Sequence, residues 1–130
     1  MIEISKIYDE YGAWKEYRRV CDQLQFREFS VAHDAILSAK ICTFKRVLYG
    51  NGGKMLSEKD LRKWLDNSKI VYDDLCKLSF DACDEELFYN AKTVIQTLCF
   101  VLGIDFDDFL TPDDARYVVE EFDNIETGVK

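Results

Sequence analysis

Several patterns that commonly reveal a function are scarce or absent in this chain of 130 residues. It contains one proline and one histidine, and no two of its cysteines are spaced Cys-x-x-Cys. The longest stretch without a charged residue, Thr93 to Ile104, has 12 residues, whereas a membrane-spanning helix needs about 20. Met1 to Ile4 includes an acid where a secretion signal would carry basic residues. We therefore expect a soluble, cytoplasmic protein that does not associate with membranes.

The residues that could bind a metal ion lack the spacing of known metal motifs. A structural zinc site needs about four N or S ligands in close clusters, and no cysteine lies at that spacing from His33. Asp105, Asp107 and Asp108 resemble the start of a calcium loop, but Phe109 stands where an oxygen ligand is required. We expect reduced, mostly buried thiols, no metal and no cofactor. The five cysteines are Cys21, Cys42, Cys76, Cys83 and Cys99.

Apolar residues recur at helical spacing in five segments, which predicts an all-α fold of about five helices in a bundle-like arrangement. The first helix runs from about Glu3 to Leu24 and contains Gly12, a candidate break. The second follows Ser30 as its N-cap and ends at the turn 50–53, the only glycine-rich stretch. The third follows Ser57 as its N-cap. Its predicted apolar stripe consists of Leu61, Trp64, Leu65, Val71, Tyr72, Leu75 and Leu78.

The remaining two helices are predicted in the second half of the chain. The fourth begins near Asp81 or Asp84, ends at Gly103 and should be the most buried helix. Its apolar stripe consists of Leu87, Phe88, Ala91, Val94, Ile95, Leu98, Val101 and Leu102. After a connector over residues 105–110, the fifth begins with Thr111 as cap and Pro112 at its first position. We expect one domain over residues 1–130, with a frayed tail from Asn124 to Lys130.

Charge is distributed unevenly along the chain. Residues 1–65 contain 12 Lys and Arg against 9 Asp and Glu, a balance of +3, and residues 66–130 contain 5 against 16, a balance of −11. These balances add up to the overall net charge of −8. A patch of one sign accelerates encounter with an oppositely charged partner and would repel nucleic acid phosphates. The acidic half therefore predicts a basic protein partner and no direct binding of nucleic acid by the acidic face.

The acids of the last third are the candidate partner-binding residues. Asp113 and Asp114 also suit the start of the fifth helix, where the helix dipole favours acids. Capping does not explain the acids of the connector, and those near the end of the fifth helix lie at the unfavourable end of its dipole. Acids at positions where they destabilise the helix suggest a role in binding. The set is Asp105, Asp107, Asp108, Asp113, Asp114, Glu120, Glu121 and Asp123.

These features predict an acidic protein-binding domain without catalytic activity. Its most specific form is an inhibitor or immunity-type protein, of a kind that phages encode, which mimics nucleic acid and occludes a basic nucleic-acid-processing enzyme. The first alternative is a structural or regulatory homo-oligomerisation module. The second is a small enzyme with a site that the sequence does not reveal. His33 and Asp34 do not form a catalytic pair, because adjacent residues on a helix point about 100° apart.

Two other surfaces in the first half are candidates for binding. Tyr8, Tyr11, Trp14 and Tyr17 crowd the first helix, and such residues are enriched at protein interfaces, although they also pack between helices. They form a candidate second interface or homodimer seam. The basic residues of this half could touch nucleic acid or an acidic protein, but they are interleaved with acids and match no nucleic-acid-binding motif, which favours a solvated helix surface.

Overall fold

The computed structural model describes residues 1–23, 31–78 and 85–109, and for Val31 and Ala32 the backbone alone. Five helices occupy these residues, and they contain no strand. The helices are α1 (Ile4–Gln23), α2 (Val31–Tyr49), α3 (Glu58–Cys76), α4 (Glu85–Leu102) and α5 (Phe106–Phe109). The predicted all-α, bundle-like fold is confirmed.

Helix α4 lies at the centre of the bundle. It packs against α2, α3 and α5, whereas α1 packs mainly against α2. Eight side chains of α4 are buried. Five of them belong to its predicted apolar stripe, and the other three are Thr93, Thr97 and Cys99. Ile95 and Leu98 of α4, Val47 and Leu48 of α2, and Leu61 of α3 meet in one core cluster, and all are almost inaccessible to solvent. The central position of α4 thus explains why it is the most apolar helix.

Local capping chemistry fixes three helix ends. The Ser57 hydroxyl accepts a hydrogen bond from the Asp60 backbone N–H at 3.2 Å, as predicted for the start of α3. The end of α4 is a Schellman motif, because Ile104 N–H donates to the Cys99 carbonyl at 2.9 Å and Gly103 has φ of +73°. In the turn after α2, Gly52 and Gly53 also have positive φ, and Asn51 pairs with Lys54. The glycine-rich stretch is therefore an interhelical turn.

The structure corrects two details of the predicted helices. Helix α1 continues without interruption through Gly12, because one glycine costs only about 1 kcal/mol in a helix interior.

The second correction concerns residues predicted in the apolar stripes of α3 and α4. Val71 and Leu87 belong to these predicted stripes, yet they are 53% and 57% exposed. Each immediately precedes a residue of the Tyr72–Phe88 contact between α3 and α4, so each points about 100° away from that contact. Leu78, also assigned to the stripe, follows the end of α3 and is exposed.

Other predictions fall on residues that are not described. The cap at Ser30, the start of the fourth helix at Asp81 or Asp84, the helix after Thr111 and the tail from Asn124 to Lys130 all lie outside the described residues. The connector prediction for residues 105–110 is wrong for Phe106–Phe109, which form the one-turn helix α5.

Replacing Gly103 by alanine should lower the free energy of unfolding by about 1–2 kcal/mol, because alanine resists a positive φ. Crowding would add little, since the new Cβ would lie 3.8 Å from Ile2 Cγ2. The same change at Gly12, which is exposed within α1 with no atom within 4 Å of the new Cβ, should raise the free energy of unfolding by about 0.5–1 kcal/mol. Urea titrations followed by circular dichroism measure both. Changes of the same sign would contradict this account.

Candidate functional site

Three of the predicted partner-binding acids lie around helix α5. Asp105 Oδ1 accepts a hydrogen bond from the Asp107 backbone N–H at 2.9 Å, with a longer contact of 3.4 Å from Asp108 N–H. Asp105 is therefore an N-cap, and Asp107 and Asp108 lie in the first turn, where the helix dipole favours acids. The expectation that capping does not explain these acids is wrong. It rested on a connector over residues 105–110, whereas Phe106–Phe109 form a helix that these acids can cap or stabilise. A binding role for these exposed side chains remains a prediction.

Further acids on α3 lie next to α5. The ammonium of Lys69 is 5.5 Å from the centroid of the Phe109 ring, which places the end of α5 against the middle of α3. Asp66 and Asp73 lie three residues before and four residues after Lys69, so they occupy the same side of α3. Asp66 and Asp73 therefore lie on the side of α3 from which Lys69 reaches Phe109, near the exposed acids of α5. We call this surface, with Asp74, the acidic face: Asp66, Asp73, Asp74, Asp105, Asp107 and Asp108.

An apolar side chain lies within the acidic face. Ile70 is 61% exposed, and its neighbours on the helix surface include Asp66 at i−4, Asp73 at i+3 and Asp74 at i+4. Burying an isoleucine stabilises a structure by about 1.5–3 kcal/mol, and this one is left in contact with water. An exposed apolar residue surrounded by charged residues resembles the centre and the rim of a protein interface.

The acids at the end of α3 are locally unfavourable. The last turn of α3 contains Asp73 and Asp74 and no basic residue, although the carbonyl end of a helix disfavours negative charge. Lys77 lies just beyond, and its ammonium is 3.9 Å from an oxygen of Asp74, with both side chains about 70% exposed. An ion pair this exposed contributes little to stability. This ion pair therefore does not account for Asp74.

Sequence reasoning missed the α3 part of the acidic face. Ile70 lies directly before Val71 and Tyr72, and within this apolar run the periodicity does not show which residue faces outward. The detectable signal was an apolar residue with acids at i−4, i+3 and i+4. The remaining predicted acids, Asp113, Asp114, Glu120, Glu121 and Asp123, lie outside the described residues.

The aromatic residues of α1 form a row along α2. Tyr8 and Tyr11 each contact Tyr49 edge to face, with ring centroids 6.4 Å apart. Trp14 contacts Tyr17 in the same manner at 6.0 Å. Tyr8 and Tyr17 are exposed by more than two fifths, and Tyr11 and Trp14 are half-buried. These residues thus pack between helices and remain accessible to a partner at both ends of the row.

Several cations of the first half have local partners. Arg19 and Arg62 pair with Glu16 and Glu58 on their own helices. Lys40 and Arg46 lie over the rings of Trp14 and Trp64, with the charged groups 4.7 and 4.3 Å from the ring centroids. A shallow depression at the start of α3 combines cations with acids, and it is lined by Glu58, Lys59, Arg62, Lys63, Asp66 and Asn67. This mixed surface does not favour phosphate binding.

The four cysteines within the described ranges are thiols and form no disulfide with one another. Cys21 and Cys99 are buried, Cys76 is half-buried and Cys42 is exposed. Burial, with a smaller contribution from the charge of Asp105, raises the pKa of the Cys99 thiol to about 11. Cys99 is thus protonated at neutral pH and unsuited to nucleophilic chemistry.

Comparison with known proteins gives no family for this chain. No protein-family model, no curated protein and no solved structure matches it. No helix in the described ranges has both the length and the apolar character needed to cross a bilayer. The physical properties of the acidic face are therefore the basis for a functional proposal.

Proposed function

We propose that this protein is a binding domain whose acidic face engages a basic protein partner, with Ile70 as the apolar contact at its centre. The observation that carries the proposal is the exposure of Ile70 among Asp66, Asp73 and Asp74. The acids provide attraction over distance, which accelerates encounter. Burial of Ile70 by the partner provides contact energy that charge alone does not supply.

The balance of charge in the described part of the second half supports a basic partner. Within residues 66–78 and 85–109, eight acids are present against three lysines. Two of those lysines have local contacts, Lys69 with Phe109 and Lys77 with Asp74. A net negative surface of this kind attracts a basic protein and repels nucleic acid.

The most specific form of the proposal is inhibition by occlusion. Enzymes that process nucleic acids carry basic grooves for phosphates, and an acidic helical domain can occupy such a groove. We propose that the protein is an inhibitor or immunity-type protein of this kind that acts in the cytoplasm. Its mechanism is steric and electrostatic and needs no catalytic residue.

The first experiment is capture of the partner from the native host. The tagged full-length protein is incubated with lysate at low salt, and bound proteins are eluted at rising salt and identified by mass spectrometry. Release of a basic nucleic-acid-processing enzyme at moderate salt supports the proposal, because salt screens exposed charges over about 10 Å at 0.1 M. Recovery of this chain alone would contradict it.

The decisive variant combines Asp66→Asn, Asp73→Asn and Asp74→Asn. We expect affinity for the captured partner to fall by about tenfold at low salt, because three steering charges are lost. The matched control neutralises three exposed acids, Glu3 directly before α1 and Asp9 and Asp22 within it, through Glu3→Gln, Asp9→Asn and Asp22→Asn. Calorimetric titration of both proteins gives the comparison. If both variants lost the same affinity, the loss would reflect the net charge of the protein, and the acidic face would have no special role.

Neutralising the acids of α5 extends the test without removing the cap. Asparagine caps helices about as well as aspartate, so Asp105→Asn with Asp107→Asn and Asp108→Asn removes charge and keeps the start of α5. We expect a further loss of affinity in this variant. Unchanged binding would restrict the interface to α3.

Exposed residues of α1 favour homo-oligomerisation as a second candidate function. Ile4, Tyr8, Tyr17 and Val20 are each more than one third exposed. An apolar dimer through α1 would persist at high salt, whereas contacts between opposite charges would weaken. Sedimentation equilibrium at low and high salt separates these outcomes, and a monomer at both would exclude this candidate at the concentrations measured.

A further inference from the structure

A cleft of about 430 Å³ lies between α1 and α2, on helices that contribute nothing to the acidic face. Trp14 and Tyr17 line it from α1, and His33 and Ile36 line it from α2. Its surface is mainly apolar, and Glu10 is the only Asp, Glu, Lys or Arg that lines it. A cavity of this volume can accept a whole side chain of another protein.

The aromatic rings of the cleft are arranged edge to face. The planes of Trp14 and Tyr17 make an angle of 88°, with centroids 6.0 Å apart. Tyr17 and His33 make an angle of 65°, with centroids 6.1 Å apart. The face of an aromatic ring carries partial negative charge and attracts cations within about 6 Å of its centroid.

Glu10 adds a full negative charge to these rings. It lies four residues before Trp14 and seven before Tyr17, so the three side chains project from the same side of α1. Glu10 is exposed, and its carboxylate is therefore available at the mouth of the cleft. Aromatic faces beside a carboxylate are a combination that recognises organic cations.

Lys40 shows that these groups already stabilise a cation within the chain. Its ammonium lies 4.7 Å from the centroid of the Trp14 ring. Burial lowers the pKa of Lys40, and the negative charge of Glu10 acts in the opposite direction. Lys40 does not line the cleft, so it leaves room for a second cation and competes with it electrostatically.

We propose that the cleft binds the guanidinium group of an arginine side chain presented by a partner protein. Guanidinium is planar and weakly hydrated, so it can stack on Trp14 or Tyr17 while it donates hydrogen bonds to the Glu10 carboxylate. Lysine has a compact, strongly hydrated charge and matches this set of groups less well. The proposal assigns a chemical role to residues outside the acidic face and does not depend on that face.

The test uses the full chain and small probes of matched shape. N-acetyl-arginine amide is titrated into labelled protein, and the indole N–H signal of Trp14 is followed by NMR. A Trp64→Phe variant assigns that signal. N-acetyl-citrulline amide has nearly the same shape without the charge, and N-acetyl-lysine amide has the charge without the plane. We expect arginine amide to bind at least tenfold more tightly than citrulline amide and more tightly than lysine amide.

Variants with opposite expected effects complete the experiment. Glu10→Gln should weaken arginine amide binding by about tenfold, and Lys40→Met should strengthen it a few-fold, because it removes a competing cation. Glu16→Gln is the matched control, because Glu16 is an exposed acid of α1 that does not line the cleft. Unshifted amide spectra elsewhere verify that each variant is folded.

The results that would overturn the proposal are distinct. Citrulline amide binding as tightly as arginine amide would show that shape, and not charge, is recognised. Equal effects of Glu10→Gln and Glu16→Gln would exclude a role for the carboxylate, and equal binding of lysine amide would exclude selection of guanidinium. The triple Asp66, Asp73 and Asp74 variant should leave arginine amide binding unchanged, so failure at one surface is distinguishable from failure at the other.

Discussion

Replacing Ile95 by alanine is expected to lower the free energy of unfolding by about 2–5 kcal/mol. Ile95 is 0% exposed and lies on α4, the helix that packs against α2, α3 and α5. The change removes apolar contacts and leaves a cavity between helices that can close only in part. Domains of this size are stable by about 5–15 kcal/mol, so the loss would be a large share of the total. Urea denaturation followed by circular dichroism gives the value.

Leu87 provides the control on the same helix. It is 57% exposed, so Leu87→Ala removes few contacts and should change the free energy of unfolding by less than about 0.5 kcal/mol. A large loss of unfolding free energy for Ile95→Ala together with a small one for Leu87→Ala would show that the middle of α4 is buried. A loss below about 1 kcal/mol for Ile95→Ala would contradict the burial described for α4.

Replacing Ile70 by alanine is expected to weaken binding of the captured basic partner by about thirtyfold, or about 2 kcal/mol, the size typical of a central interface contact. Folding should change little, because Ile70 is 61% exposed and alanine favours helix slightly more than isoleucine does. Calorimetric titration measures the affinity, and thermal unfolding verifies the stability. The expected result is a variant that folds normally and binds poorly.

Val71 is the matched control for Ile70. It is 53% exposed, follows Ile70 directly and points about 100° away from it around α3. One of its neighbours on the helix surface is an acid, Asp74, whereas Ile70 has three. Val71→Ala should reduce affinity less than threefold. If Val71→Ala were as damaging as Ile70→Ala, the interface would extend around α3 to Val71 and the assigned centre would be wrong.

Helix ends fixed by local chemistry were predictable from the sequence. The cap at Ser57 and the left-handed Gly103 depend on residues within one turn of the helix end, so a short stretch of sequence contains the information. The outward positions of Val71 and Leu87 depend on the width of the surface that neighbouring helices cover. That width is set by tertiary packing, and the periodicity of one segment does not contain it.

The candidate site was predictable only in part. The excess of acids in the second half indicated a basic partner, but the sequence placed the interface at the C-terminal acids and omitted α3. Asp105 was assigned to a connector, because a helix of one turn is too short for apolar periodicity to reveal it. The apposition of α5 and α3 through Phe109 and Lys69 joins residues 40 positions apart, which only the fold can show.

Because α1 lies at the periphery of the bundle, it should open locally more easily than α4 does. Because α1 packs mainly on α2 and buries two of its own side chains, Ile7 and Cys21, its separation would leave the contacts of α4 with α2 and α3 in place. Such an opening costs less than global unfolding. Backbone amides of α1 would then exchange with solvent deuterium faster than those of α4. A partner that held the cleft between α1 and α2 would slow this exchange, even without contacting the core.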